Sequence, residues 1–481
     1  QRDLHCISSA ASDVYKRQIY AMPSYPLTPV LIAGGGPAGI ALLLAASRMG
    51  ELSRLLDEGI TLVEQGHTIG SGMLGRYVIN SDSAAETFVD ALTDNPVPEL
   101  ARLRTHPLVE MIQAHGKDTL PLRVVADYLD LVGHVLTGLI RNHPASRLLT
   151  GWRLASLRQD DRGEWAAHLV SADGARAQHV RAAKVVLALG AIQPECRLHD
   201  EQVGGAALLP RYSGRLMQSD DLLAPDGISR LRTLVAGSEK PKIAIIGGAS
   251  SALSVARVIL RDMGNRIVPG NLTLLHRSRL KLFYRTAEEA LADGYTDFGA
   301  ADICPISHFV YRFGGLRYDS RNLAMQLMGI ANAAPEPRLH TMQMTGHNDS
   351  AVQATLDSAD ALVACLGYRP RRVAIMDRDN HPMALATDHP DGSLTGPDCG
   401  IMDGSGHEIP GLFGLGLASG YSASATMGGE SSFNGQVNSL WLWQNAIGEK
   451  ILYQLLPEEA PLPRIPMAHA SVIDAHHSIH H

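Results

Sequence analysis

Short apolar runs that end at glycine recur along the chain and predict the strands of an α/β fold. Residues 30–46 run from an apolar strand through a glycine-rich turn into an apolar segment typical of a helix. The same order of strand, small-residue turn and helix returns at residues 243–263. Later apolar runs end at Gly190 and Gly367. The pattern therefore predicts two strand–turn–helix units, each closed by a later strand.

Other stretches of the chain follow different periods. Residues 152–181 alternate apolar and polar positions between turn signals, which predicts an antiparallel meander. Residues 124–139 and 437–455 have the apolar spacing of helices. Residues 280–345 carry no clean period, and we interpret them as the rest of the second unit together with a lid or substrate-facing loop.

The order of these elements predicts a second unit inserted into the first. We assign residues 25–215 and 351–458 to the first domain, and residues 216–350, with their substrate-facing loops, to the second. Residues 1–24 and 459–481 are interpreted as tails, the first of them similar to translated adaptor sequence. The predicted fold class is α/β, with two Rossmann-like dinucleotide-binding domains.

The first turn (residues 34–39) has the glycine spacing of a dinucleotide site. Gly34 permits the tight turn, Gly36 lets the backbone approach a pyrophosphate, and Gly39 lets the helix pack closely on the strand. The anion then lies against the free N–H groups of the helix N-terminus. Glu64 ends the next predicted strand, where a carboxylate binds the hydroxyls of an adenosine ribose. Together these features favour a nucleotide site over a plain glycine turn.

The second turn (residues 247–252) differs from the first in two ways. Ala249 and Ala252 replace the second and third glycines, so two methyl groups are expected to crowd the pyrophosphate and the helix–strand contact. The strand that follows ends in basic residues, Arg277 and Arg279, where the first unit has a carboxylate. Arginine at this place accommodates a 2′-phosphate, so the strand ends predict FAD in the first site and NADPH in the second. A solvated strand edge is the alternative for the two arginines.

Composition and charge exclude several other classes of protein. The chain has 481 residues and a net charge of −7, which gives no electrostatic reason to expect nucleic acid or an anionic membrane as a partner. Its five cysteines are scattered and form no zinc-ligand spacing, so we expect no metal site. Because there is no apolar run of about 20 residues and no leader pattern, we expect a cytoplasmic protein with no membrane partner. Homo-oligomerisation stays an open alternative.

The motifs taken together resemble those of flavoproteins with two dinucleotide-binding domains. Within that group the chain is similar to the class B flavin-dependent monooxygenases, which include flavin-containing, Baeyer–Villiger and N-hydroxylating enzymes. Residues 69–74 resemble the family's segment after the ribose carboxylate, and residues 77–83 the segment whose asparagine faces the flavin. Residues 120–131 resemble the helix before the meander, and residues 212–222 the linker fingerprint. The resemblance spans about residues 30–455.

The resemblance implies which residues contact the cofactors and the reacting atoms. Asn80 stands where the family has an asparagine near the flavin C4a atom, and we predict it as the catalytic hydrogen-bond donor because an amide donates without titrating. An equally supported alternative is that Asn80 caps a helix over residues 81–90. The predicted cofactor-binding residues are Gly34, Gly36, Pro37, Ala38, Gly39, Glu64, Gln65, Gly72, Met73, Val125, Gly190, Gly247, Ser250, Ser251, Ala252, Arg277, Arg279, Gly367 and Gly416.

The reaction implied by the resemblance is an oxygenation. Hydride passes from NADPH to FAD, and a C4a-(hydro)peroxyflavin formed with molecular oxygen then oxygenates a soft nitrogen or sulfur centre in a small molecule. One alternative is a reductase or oxidase of the same fold in which no peroxyflavin is stabilised. A second alternative is a non-catalytic flavoprotein that serves as a binding module, because the second turn no longer accepts NADPH.

Overall fold

The computed structural model describes residues 26–386, 394–421, 427–437 and 439–456 of the chain. Both predicted tails, residues 1–24 and 459–481, lie outside the described residues.

The larger of the two main sheets is built around strand Leu27–Ala33. This strand pairs in parallel with a neighbour on each side, so that Val30 lies beside both Ile60 and Lys184. Residues Val30–Ala33 are buried, because helices pack on one face of the strand and residues of the antiparallel strands pack on the other. Within the described residues the nine strands of this sheet are Leu27–Ala33, Ile60–Glu64, Arg147–Thr150, Trp152–Gln159, Trp165–Ser171, Ala177–Leu187, Ala374–Met376, Gly400–Met402 and Glu408–Gly414.

The predicted meander is confirmed as part of this larger sheet. Trp152–Gln159 pairs antiparallel with Trp165–Ser171, which in turn pairs antiparallel with Ala177–Leu187. Ala177–Leu187 also pairs in parallel with Glu408–Gly414 near the C-terminus. The first domain is therefore made of two segments that are distant in sequence, as predicted.

The smaller sheet carries the second turn, and all of its pairings are parallel. Its strands, in spatial order, are Leu216–Gln218, Ala361–Ala364, Ile243–Ile246, Leu272–His276 and Leu339–Gln343. The sequence-based boundary at residue 350 is corrected here, because Ala361–Ala364 pairs with Ile243–Ile246 and so belongs to the second unit. Each sheet contains an apolar strand that is followed by glycine. Because the two strands share this pattern, the sequence alone does not show which sheet Ala361–Ala364 joins.

Helices cover both sheets. In the described residues they span Pro37–Arg48, Leu52–Glu58, Ala85–Val89, Pro98–Ala101, Pro107–His115, Leu122–Asn142, Cys196–Asp200, Ser219–Leu222, Gly227–Leu234, Ser250–Met263, Ala287–Ala292, Tyr318–Met328, Asp349–Ser358, Leu440–Gln444 and Ala446–Leu455. The helix predicted over residues 124–139 is confirmed and extends to Leu122–Asn142. The single helix predicted over residues 437–455 is wrong, because Asn445 leaves helical geometry (φ −122°, ψ −111°) and divides it in two.

The two helices that follow the turns are packed differently. The first-turn helix (Pro37–Arg48) is buried from Ala38 to Ser47, since the sheet covers one side of it and the two C-terminal helices pack on it. The second-turn helix (Ser250–Met263) is buried along one face and leaves Arg257 and Arg261 exposed. No helix among the described segments combines the length and apolar character needed to cross a membrane.

Candidate active site

A cleft of about 1360 Å³ lies between the two units and is lined by residues of both turns. It collects most of the first unit's predicted site and the beginning of the second-turn helix. The predicted residues that line it are Gly34, Gly36, Pro37, Ala38, Glu64, Gln65, Gly72, Met73, Asn80, Gly190, Ser250 and Ser251. Residues predicted separately from the two turns thus meet at one site.

The remaining predicted residues do not line the cleft. They are Gly39, Val125, Gly247, Ala252, Arg277, Arg279, Gly367 and Gly416. Val125 is fully buried on the core-facing side of the long helix Leu122–Asn142. Gly416 packs on the first-turn helix, since a Cβ there would lie 2.4 Å from the Ala38 Cβ. Gly39 and Ala252 lie in the first turns of their helices and serve the contact between helix and strand.

The first turn has the shape that a bound pyrophosphate requires. Gly34 adopts φ +109° and donates its N–H to the Val63 carbonyl at 2.8 Å. A Cβ at Gly39 would lie 1.9 Å from the Gly34 carbonyl oxygen, so only glycine fits there. Gly36, whose backbone is extended, precedes the helix and faces the cleft. Because Gly36 has no side chain, an anion in the cleft can approach the free N–H groups at the start of the helix.

The carboxylate of Glu64 is fixed at the edge of the same cleft. Its two oxygens accept hydrogen bonds from the Gly35 N–H and the Gly66 N–H, each at 2.7 Å. A carboxylate offers about four lone-pair sites, so two remain for the hydroxyls of a ribose. The first turn and Glu64 thus fit an adenosine diphosphate group, which is the part of FAD that this site was predicted to hold.

The second turn tolerates its alanines. Ala249 precedes its helix in extended geometry (φ −100°, ψ −179°), as Gly36 does in the first turn (φ −73°, ψ −167°), and its side chain is exposed. Ala252 is 1% exposed, so its methyl group is buried. The space around it is sufficient, because even a Cβ built onto the facing Gly247 would lie 3.4 Å from this methyl group. The crowding expected at the helix–strand contact is therefore absent, and the turn is built around this methyl group.

The two predicted phosphate-binding arginines have different surroundings. Arg277 has a side chain that is 56% exposed, and it pairs with Glu201 at 3.3 Å. Arg279 contacts the carboxylates of Asp297 and Asp302 and donates to the Tyr311 hydroxyl at 2.7 Å. Arg277 can bind an anion with little loss of existing contacts. The contacts of Arg279 instead stabilise its own loop.

Asn80 lies in the cleft but caps no helix. The next helix is Ala85–Val89, and its capping position is Ala84. Instead, the Asn80 Nδ2 donates to an Asp319 oxygen at 3.0 Å, and the other Asp319 oxygen lies 3.3 Å from Arg257. Because a carboxylate only accepts, this contact fixes which end of the Asn80 amide faces Asp319. The capping alternative is wrong, and the amide is held in a defined orientation.

Two tyrosines and an aspartate, which sequence reasoning missed, hold the loop before Asn80. The hydroxyls of Tyr77 and Tyr368 both donate to one oxygen of Asp220, at 2.5 and 2.9 Å. Burial, together with the acceptor Asp220, raises the pKa of Tyr77 to about 12, so it stays a donor. Tyr368 directly follows Gly367, at which an apolar run ends. This position is the feature of the sequence that could have indicated the cluster.

A second set of contacts joins residues 312–314 to residues 427–430. The Glu430 carboxylate accepts hydrogen bonds from the N–H groups of Phe313 and Gly314, at 3.1 and 2.7 Å. Arg312 donates to the Met427 carbonyl at 2.8 Å, and its own carbonyl accepts from Arg317 at 2.7 Å. Arg312, Phe313, Gly314 and Arg317 fall in the stretch without a clean period, so these contacts could not be predicted from a pattern in the chain.

A known relative covers nearly the whole of this architecture. The chain is 33% identical over 443 residues to the CMP-5′-(3-aminopropyl)phosphonate hydroxylase of Streptomyces rubellomurinus, across 89% of this chain and 97% of the relative. The chain belongs to the class B flavin-dependent monooxygenases. It matches no family model.

Solved structures show the same monooxygenase fold. The cadaverine monooxygenase DfoA of Erwinia amylovora, solved with bound FAD, aligns with a TM-score of 0.52 at 12% identity, over 91% of this chain and 97% of DfoA. The ornithine hydroxylase PvdA of Pseudomonas aeruginosa aligns with a TM-score of 0.52 at 16% identity, over 89% of this chain and 99% of PvdA. The predicted fold of two Rossmann-like domains is confirmed.

Family membership decides several of the sequence-based predictions. This monooxygenase is an enzyme and an oxidoreductase, so the non-catalytic binding module is wrong. FAD and NADPH, the predicted cofactors, are confirmed as those of the family. DfoA and PvdA, the two structures compared above, are N-hydroxylating members of this family.

Proposed function

We propose that this enzyme N-hydroxylates an aliphatic primary amine, with FAD as its flavin, NADPH as reductant and molecular oxygen as co-substrate. The balanced reaction is R–NH₂ + O₂ + NADPH + H⁺ → R–NHOH + NADP⁺ + H₂O. The observation that supports it best is that one cleft is lined by both nucleotide turns and by the oriented amide of Asn80.

The residues of the cleft divide between the two cofactors and the reacting centre. The first turn and Glu64 would hold FAD, and Ser250 and Ser251 would hold NADPH, with Arg277, which lies outside the lining of the cleft, reaching its 2′-phosphate. FAD, when bound, carries the reducing equivalents of NADPH to oxygen. Asn80 would donate a hydrogen bond to the reacting oxygen from its second N–H, because Asp319 takes the first.

A small molecule that carries both an amine and a phosphonate is the first substrate to test. The relative's name gives CMP-5′-(3-aminopropyl)phosphonate as the molecule it hydroxylates. Arg257, Arg261 and Arg338 line the cleft, each beside a carboxylate that an anionic ligand would compete with. Arginine forks suit phosphate and phosphonate oxygens. We extend the proposal to this class of substrate.

The proposal also includes a cytoplasmic location. The described cysteines Cys196, Cys304, Cys365 and Cys399 are all unpaired, as in proteins of a reducing compartment.

Oxygen-transfer assays test the function directly. The purified flavoprotein is mixed with NADPH, isotopically labelled dioxygen and CMP-5′-(3-aminopropyl)phosphonate, and the product is analysed by mass spectrometry. We expect one labelled oxygen atom on nitrogen, formed in proportion to NADPH consumed. NADPH consumption that yields only hydrogen peroxide, with this amine and with simple diamines, would favour the reductase or oxidase alternative. Oxygen transfer to a thioether in preference to the amine would move the proposal from nitrogen to sulfur.

A further inference from the structure

A second carboxylate faces the cleft close to Asn80. Asp82 lies two residues further along the same loop and lines the cleft together with Ser81 and Ser83. Among the described residues, no side chain donates a hydrogen bond to it or forms an ion pair with it. Water in the cleft reaches the carboxylate, but protein atoms surround it closely enough that burial raises the pKa of Asp82.

The other carboxylate beside Asn80 is already occupied. Asp319 accepts from Asn80 through one oxygen and lies within 3.3 Å of Arg257 through the other. Its role is to orient the amide. Asp82 is therefore the cleft carboxylate near Asn80 whose hydrogen-bonding capacity is left for a ligand.

The charges around Asp82 come from the loop and helix on the opposite side. The nearest cation is Arg317, whose guanidinium is stacked on Phe283 at 3.6 Å and donates to the Arg312 carbonyl. Tyr318, the residue after Arg317, is the next titratable group, and it also interacts electrostatically with Glu86 and Arg285. Arg317 also interacts electrostatically with Glu430 and Arg312. Arg317 attracts Asp82 electrostatically, but among the described residues it forms no ion pair with it, so the carboxylate oxygens can still bind a second cation.

An amine substrate presents a chemical problem that such a carboxylate solves. An alkyl ammonium ion has a pKa of about 10.4, so at neutral pH nearly all of it is protonated and has no lone pair to attack oxygen. A carboxylate first binds the ammonium ion and then takes one of its protons, R–NH₃⁺ + –COO⁻ → R–NH₂ + –COOH. The nitrogen lone pair is then free to form the N–O bond, and the carboxyl later loses the proton to water in the cleft.

We propose that Asp82 binds the ammonium group of the substrate and accepts its proton. This assignment rests on the N-hydroxylation proposed above. It also predicts that an amine is selected over a thioether, since a neutral sulfur gains nothing from a carboxylate.

The test compares Asp82→Asn with Asp94→Asn, the same change at an exposed position outside the cleft. CMP-5′-(3-aminopropyl)phosphonate is the substrate, and its analogue with a methyl group in place of the amine is the control ligand. We expect Asp82→Asn to lower kcat/KM roughly 100-fold, as loss of a general base does. It should weaken binding of the amine but not of the analogue. Asp82→Glu should restore part of the activity.

The pH profile supplies a readout that a merely structural role would not change. Asp82 must be ionised to bind the ammonium ion, so activity falls as the pH drops through its pKa. Because that pKa is raised, the fall comes at a higher pH than for an ordinary carboxyl. Asp82→Asn should remove this acid limb. A melting temperature and a flavin content that match those of the unaltered enzyme show that the Asp82→Asn variant is folded.

The possible failures are distinct. If Asp82→Asn keeps the acid limb and the kcat/KM of the unaltered enzyme, or weakens the amine and its analogue equally, the assignment of Asp82 is wrong while N-hydroxylation stands. If the unaltered enzyme reduces its flavin but forms no hydroxylamine, the proposed function and this assignment both fall.

Discussion

The first and second turns share a backbone design but differ in how closely protein surrounds them. Gly34 and Gly247 both adopt positive φ, and each donates its N–H to the carbonyl at the end of the neighbouring strand at 2.8 Å. At the third position the first turn has Gly39, where a Cβ would meet a carbonyl oxygen at 1.9 Å, and the second turn has Ala252. The first turn is thus fully closed by its own backbone, and the second has room for a methyl group.

The helices that follow the turns extend this difference. The first-turn helix is buried almost all round, whereas the second-turn helix exposes a polar face to the cleft. If FAD binds at the first turn and NADPH at the second, we expect NADPH, which would lie against the more exposed helix, to exchange more readily than FAD.

The largest expected effect comes from closing the last free space in the first turn. Gly39→Ala places a Cβ 1.9 Å from the Gly34 carbonyl oxygen. Overpacking of this kind costs about 1–3 kcal/mol or more, and here it also displaces the turn that holds the pyrophosphate. We expect protein with almost no bound flavin, measured by visible absorbance, and a lower melting temperature.

Gly138→Ala is the matched control for this substitution. Gly138 lies exposed on the helix Leu122–Asn142, and a Cβ there meets no atom within 4 Å. Alanine should therefore stabilise the helix by about 0.5–1 kcal/mol and leave flavin content unchanged. Normal flavin content in Gly39→Ala would mean that the first turn is not the FAD site.

Glu64→Gln tests the ribose contact with a smaller change. The substitution keeps the size of the side chain but loses the charge that accepts from Gly35 and Gly66. A hydrogen bond to a charged group is worth about 1.5–3 kcal/mol, so FAD should bind roughly 10- to 100-fold more weakly. Titration of the apoprotein with FAD measures this change. Glu58→Gln, an exposed change in the preceding helix, should bind FAD normally.

Substitutions of Arg277 and Arg279 should have different effects in a coenzyme assay. Arg277→Ala removes an exposed cation with one weak ion pair, so we expect KM for NADPH to rise about tenfold while KM for NADH stays unchanged. Arg279→Ala removes contacts to two aspartates and Tyr311, so it should lower the melting temperature with little effect on the NADPH to NADH preference. If Arg279→Ala changes coenzyme preference and Arg277→Ala does not, the roles are reversed.

The comparison also shows what the sequence could and could not predict. Glycine spacing and strand-end charge are local, so both turns and Glu64 could be located from the residues alone. The place of strand Ala361–Ala364 could not, because either sheet accepts a buried apolar strand and only pairing decides. Asp82, Arg317 and Asp319 meet across the two units and share no spacing in the chain. The cofactor frame was therefore predictable, and the substrate end of the cleft required the folded chain.

The smallest expected effect belongs to Ala252→Gly, which gives the second turn the third glycine of the first. If the methyl group obstructed the coenzyme, its removal would improve NADPH binding. The structure predicts otherwise, because Ala252 is buried and faces the strand end and not the cleft. We expect KM for NADPH to change less than about twofold, while glycine in a helix lowers stability by about 1 kcal/mol. Ala256→Gly, a buried change one turn further along the same helix, should lower stability equally. A marked fall in KM for NADPH in Ala252→Gly alone would show that the methyl group limits coenzyme binding, and the contrast between the turns would then reflect a weakened site and not one built for exchange.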